Sequence, residues 1–157
     1  MKKIILSIAL LAFFTTSAQA TTCYTPEQFE AEQGLRIHSE LMVIALTCMK
    51  APGGGKEMYK KYQAFTNKNL AVIAGYETSM VAYFRSNGAK NDEEVINNFK
   101  TKLANDISKH AISMSTASFC QHFGTRIDQA LKMEPAKFKR WAQQVWPNSP
   151  TTRPVCK

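Results

Sequence analysis

The sequence predicts an all-α fold: an up-down-up-down four-helix bundle with a short fifth C-terminal helix and two disulfides. Three observations carry this expectation. Apolar residues recur at three- and four-residue spacing through most of the chain, with no sustained period-two alternation. Caps and breakers punctuate the pattern at "TPEQ", "APGGG", "NG" and "STAS", and again at Pro135 and Pro147. The four cysteines are spread along the chain with no C-x-x-C pair, the arrangement of a disulfide framework.

Residues 1–20 stand apart from this pattern. Lys2 and Lys3 precede an apolar run from Ile4 to Phe14, and small Ala18 and Ala20 follow in "SAQA", the order of a signal peptide cut after Ala20. The run is far shorter than the ~20 residues a membrane span needs. Cys23 lies three residues past the cut rather than at it, so a freely exported protein is expected instead of a lipoprotein. Residues 21–157 should then form a single helical domain with an extended tail from about residue 147.

The first helix opens with Thr25 as N-cap, Pro26 at the first helical position and Gln28 completing a capping box. It should run to about Met49, with Phe29, Ile37, Leu41, Ile44 and Cys48 on one face and Leu35, His38, Met42, Ala45 and Met49 on the next. A helix apolar on so much of its circumference is expected at the centre of the fold. A second helix is expected from Lys56 to Ser86, with a bend near "TNKN". Asn91 and Glu94 start a third, whose stripe is Ile96, Phe99, Leu103, Ile107, Ala111 and Met114 and which ends near Ser113. A fourth carries Phe119, Phe123, Ile127 and Leu131, and Pro135 opens a short fifth with Phe138, Trp141 and Val145.

This topology selects the disulfides. Cys23 and Cys48 would lie roughly 36 Å apart along one helix, beyond the reach of a disulfide. Cys48 and Cys120 fall near one end of the bundle, so Cys48–Cys120 is expected and Cys23–Cys156 follows by elimination. Export to an oxidising compartment suits both bonds.

Candidate chemistry is sparse. In "HAISMSTASFCQH", His110 and Met114 are four residues apart, as are His38 and Met42 in "HSELM", so a haem or copper site could use these four residues. The simpler reading is a helix junction with one cystine, and no cofactor is expected; His122 should face solvent. Glu30, Glu32 and Glu40 could supply the paired acids of a glycosidase, with His38 beside them. Yet Glu32, Arg36 and Glu40 follow at four-residue steps, the pattern of a solvated salt-bridge stripe. No catalytic set is predicted: there is no G-x-S-x-G, and "APGGGK" lacks the P-loop ending.

The segment "KMEPAKFKRWAQQVWP" is the most distinctive surface candidate. Lys137, Phe138, Arg140, Trp141 and Trp146 could bind a membrane or a partner, with Lys132 and Lys139 adding positive charge. The alternative is a lid packed on the bundle with its basic residues solvated. Lys56, Lys60, Lys61 and Lys68 read as a solvated face.

Without Lys2 and Lys3 the chain has 18 basic against 12 acidic side chains, a formal +6. That balance favours an envelope protein, anionic lipid or cell-wall polymer as partner, and not nucleic acid. The expected function is therefore an exported, non-enzymatic helical binding or structural protein of the bacterial envelope, periplasmic or secreted. A small haem or copper carrier is the alternative, and an envelope enzyme acting on glycan or lipid the second.

Overall fold

Thr25 starts the first helix as its capping box dictates. Its hydroxyl accepts the Gln28 N–H at 3.3 Å, and the Gln28 side chain accepts the Thr25 N–H at 2.9 Å. The computed structural model describes residues 23–51, 55–148 and 150–156. The predicted signal peptide and its cut lie outside the described residues, as do residues 52–54 of "APGGG".

Seven helices follow among the described residues: α1 (Pro26–Cys48), α2 (Gly55–Lys68), α3 (Leu70–Ser86), α4 (Asp92–Ile112), α5 (Thr116–Phe123), α6 (Thr125–Leu131) and α7 (Pro135–Ala142). Helix α1 touches each of the others, as its apolar circumference requires. Leu35, Leu41, Ile44, Ala45 and Cys48 along it are buried, and residues from all seven helices join one hydrophobic cluster.

Two of the predicted helices are broken in two. Asn69 separates α2 from α3: it is fully buried, and its side-chain amide donates to the Phe65 carbonyl at 3.0 Å. An asparagine that bonds backbone in this way competes with the regular helix ladder, which explains the bend at "TNKN". Gly124 separates α5 from α6, where an added Cβ would lie 2.5 Å from the Cys120 carbonyl oxygen. The four-residue spacing of Phe119, Phe123, Ile127 and Leu131 continues across this break and hides it.

Helix α4 ends at Ile112 with Ser113 as its C-cap. Met114 therefore lies beyond the helix and is exposed, so the expected pairing of His110 and Met114 on one helical face does not form. Ser115 has already begun the next helix, accepting the Ser118 N–H at 3.2 Å. Helix α7 likewise stops at Ala142, leaving Val145 outside it and exposed.

Side-chain size is constrained where α1 meets α3. Tyr76 lies directly over Gly34, and a Cβ there would fall 2.1 Å from the tyrosine ring. The same phenol donates to Glu30 at 2.8 Å, so the missing side chain at position 34 admits both the ring and its hydrogen bond.

The extended tail returns to the start of α1. Tyr24 and Val155 form an isolated parallel bridge: the Tyr24 N–H donates to the Pro154 carbonyl at 2.7 Å, and the Cys156 N–H donates to the Tyr24 carbonyl at 2.8 Å. Both expected disulfides form, Cys23–Cys156 with Cα atoms 5.0 Å apart and Cys48–Cys120 with 5.5 Å. Each contributes on the order of 2–5 kcal/mol by restricting the unfolded chain.

Candidate functional site: a cleft beside the central helix

One face of α1 places Gln33, Arg36, Ile37 and Glu40 at helical spacing along the floor of a cleft of about 730 Å³. Ile107 and His110 of α4, Phe119 and Phe123 of α5, and Arg126 of α6 form further walls. Trp141 of α7 and Trp146 beyond it complete the enclosure, their rings 6.1 Å apart at 74°. Apolar walls with a few polar groups are the usual composition of a ligand site.

The charges in this cleft are already paired. Arg126 forms an ion pair with Glu40, and its guanidinium also lies 5.1 Å from the centre of the Phe123 ring. Burial pushes the Glu40 carboxyl above its usual range, and Arg126 opposes that shift. Arg36 donates to Glu32 at 2.7 Å. Glu32 is fully buried and also accepts the Thr152 N–H at 2.7 Å and the Thr152 hydroxyl at 2.6 Å. The expected solvated stripe is thus corrected at Glu32, because the C-terminal tail folds over it.

Three hydrogen-bond donors on residues that line the cleft are enclosed by protein and not satisfied. Gln33 Nε2, Arg36 Nε and Trp146 Nε1 are buried and have no hydrogen-bond partner among the described residues. Orphaned buried donors are uncommon in folded proteins, since each forfeits its hydration.

The residues considered for haem or copper have different surroundings. His38 faces α2, with Nε2 2.9 Å from the Tyr62 hydroxyl and 3.1 Å from that of Thr66. His110 is exposed on the cleft, Met42 is half-buried against the core, and Met114 is exposed past the end of α4. Among the described residues, no three His, Cys, Asp or Glu side chains are grouped to hold a metal ion.

Burial lowers the His38 pKa to about 4, with Lys100 adding to the shift and Glu77 opposing it. The ring is therefore neutral in the folded protein near neutral pH. The unfolded chain takes up this proton first, so the contribution of His38 to stability is intact above pH 6.5 and is lost as the pH falls towards 4. Urea unfolding across this range should show a loss of about 3 kcal/mol that is absent from His38→Gln. Equal pH slopes for the two proteins would contradict the assignment.

The carboxylates proposed for an enzyme are also separated by role. Glu30 accepts from Tyr76 and from Gln143, each at 2.8 Å, Glu32 holds the tail, and only Glu40 of the three lines the cleft. His122 is exposed, as expected. Among the four lysines read as a solvated face, Lys61 reaches Asp128 at 2.6 Å and Lys68 reaches Glu134 at 3.1 Å, linking α2 to the α6 region.

The α7 candidates do not share one surface. Lys137 and Arg140 are exposed, whereas Trp141 and Trp146 line the cleft. Phe138 is wholly buried, edge-on to Phe65 at 5.1 Å and to Tyr76 at 5.8 Å, so it belongs to the core and cannot bind a membrane or partner directly. Sequence reasoning missed Gln33 and Arg126 as site residues. The stripe Gln33–Arg36–Ile37–Glu40 was a usable signal, a mixed polar and apolar face on a helix that is largely buried.

The fold and cleft define a disulfide-bonded helical protein with a recessed, charge-balanced cleft. The chain matches no protein-family model, no curated protein and no solved structure. Its two disulfides point to an oxidising, extracytoplasmic environment. Among the described residues, no helix is long and apolar enough to cross a membrane.

Proposed function

We propose that this chain is an exported, non-enzymatic binding protein of the bacterial envelope that holds a ligand or partner segment in the cleft beside α1. The observation that carries this reading is the cleft of about 730 Å³ beside α1, walled by Ile37, Ile107, Phe119, Phe123 and Trp141 with the Arg126–Glu40 ion pair among them. The reading includes a signal peptide cut after Ala20, a periplasmic or secreted destination, and an up-down-up-down succession of α1, α2–α3, α4 and α5–α6. Short connections support that succession. An anionic lipid or cell-wall polymer as partner rests on net charge alone, whereas the cleft supplies shape and apolar walls.

Native mass spectrometry of the protein recovered from its own envelope fraction tests the reading. A non-covalent adduct is expected on the wild type and should be lost from Ile107→Trp, which fills the cleft. An adduct retained by that variant, or no adduct on the wild type, would count against cleft binding. A mass matching haem or copper would replace the proposal with the carrier alternative.

A further inference from the structure

We infer that the segment following α7 is a redox-released strap: a dithiol reduces Cys23–Cys156 ahead of Cys48–Cys120, and the freed tail lets the Trp146–Asn148 wall of the cleft move away from α1. This inference rests on the binding function proposed above and supplies its regulation.

The strap begins at the cleft and ends at the start of α1. Helix α7 stops at Ala142, and Trp146, Pro147 and Asn148 beyond it line the cleft. Further along, Thr152 donates twice to Glu32, the neighbour in sequence of Gln33 on the cleft floor. The Thr152 and Tyr24 hydroxyls meet at 2.8 Å, the Tyr24 backbone bonds to Pro154 and Cys156, and Cys156 is joined to Cys23. A cleft wall and a disulfide are thus parts of one short run of chain.

Little of this run is held by apolar burial. Of its described residues from Gln143 to Cys156, Trp146 and Thr151 are half-buried and the others are exposed. Phe138 and Ala142, by contrast, have 0% exposure, so α7 stays anchored in the core. Segments with few buried contacts open locally while the rest of the fold persists. In that local opening the disulfide closes only the loop from α7 to Cys156, on the order of 15 residues, and holding such a loop shut shifts the equilibrium about a hundredfold.

Access selects which disulfide reacts first. Cys156 is exposed and Cys23 half-buried, whereas Cys48 is 1% exposed and Cys120 half-buried. Exchange requires a thiolate to reach a disulfide sulfur. One thiolate of the dithiol attacks the tail cystine to give a mixed disulfide, and its second thiol displaces the protein sulfur. Two electrons and two protons pass to Cys23 and Cys156, and the reductant leaves as a cyclic disulfide.

Titrating the protein with dithiothreitol, alkylating the freed thiols and mapping them by mass spectrometry tests the order of reduction. Cys23 and Cys156 should be alkylated at a lower dithiothreitol concentration than Cys48 and Cys120. Opening is read in a Trp141→Phe background, which keeps an aromatic ring and leaves Trp146 as the single tryptophan. Adding Cys23→Ser with Cys156→Ser should increase acrylamide quenching of Trp146. The Thr152 amide should exchange about a hundredfold faster, while amides within α7 remain the slower to exchange. Cys48→Ser with Cys120→Ser should leave Trp146 quenching unchanged. The partly reduced and alkylated protein provides the same readouts without the serine substitutions.

Reduction of Cys48–Cys120 first, or of both cystines together, would overturn the inference. So would unchanged Trp146 quenching and Thr152 exchange once Cys23–Cys156 is open. The native mass spectrum judges the binding function separately, because none of these readouts needs a ligand. A cleft-dependent adduct held equally by the wild type and the Cys23→Ser, Cys156→Ser protein would refute the regulation while leaving binding in place.

Discussion

Glu32→Ala is expected to lower unfolding free energy by about 3–5 kcal/mol, the range for removing one partner of a buried ion pair. Glu32 is fully buried, and the Arg36 side chain beside it is 15% exposed, so the guanidinium would be left largely inside the protein without its carboxylate. Both Thr152 donors would lose their acceptor at the same time. The Cys23–Cys156 bond would keep the tail attached, but not seated. Urea unfolding should report the global loss, and hydrogen exchange should report faster exchange at the Thr152 amide. A change below about 1 kcal/mol, typical of an exposed i,i+4 pair, would show that the tail does not seal this group from water.

Phe138→Ala should cost about 3–5 kcal/mol, the range for deleting a buried aromatic side chain and leaving a cavity. The ring has 0% exposure and meets two aromatic neighbours edge-on. Lys137→Ala, one residue away and exposed, should change stability by no more than about 0.5 kcal/mol. The contrast distinguishes a helix packed on the core from an apolar strip lying on a surface. Comparable small effects at both positions, measured by thermal and urea unfolding, would restore the surface reading.

Local features were legible wherever a short stretch contained its own physical reason. The Thr25 cap, the Asn91 cap, the proline that opens α7 and the apolar circumference of α1 depend on neighbours a few residues away. The disulfides were also accessible, because a rigid helix separates Cys23 from Cys48 and leaves few pairings. The breaks at Asn69 and Gly124 were harder to place. A broken helix can preserve the same apolar spacing, so periodicity alone does not reveal it.

The candidate site was less legible because its parts come from distant segments. Arg36 and Glu40 were visible as charges at helical spacing, but pairing Glu40 with Arg126 depends on α6 packing near α1. Trp141 and Trp146 were recognised as distinctive, while their shared position on the cleft depends on how α7 docks.

The sequence by itself determined the helical class, the caps, the central helix and the cysteine pairing, since these follow from periodicity, local hydrogen bonding and covalent reach. Only the tertiary structure decided that Glu32 is sealed under the tail, that Phe138 is core, and that Gln33, Arg36 and Trp146 come together around one cleft. Burial and hydrogen-bond partnership are properties of what surrounds a residue, and here those surroundings come from distant segments, as with Glu32 and Thr152, 120 residues apart along the chain.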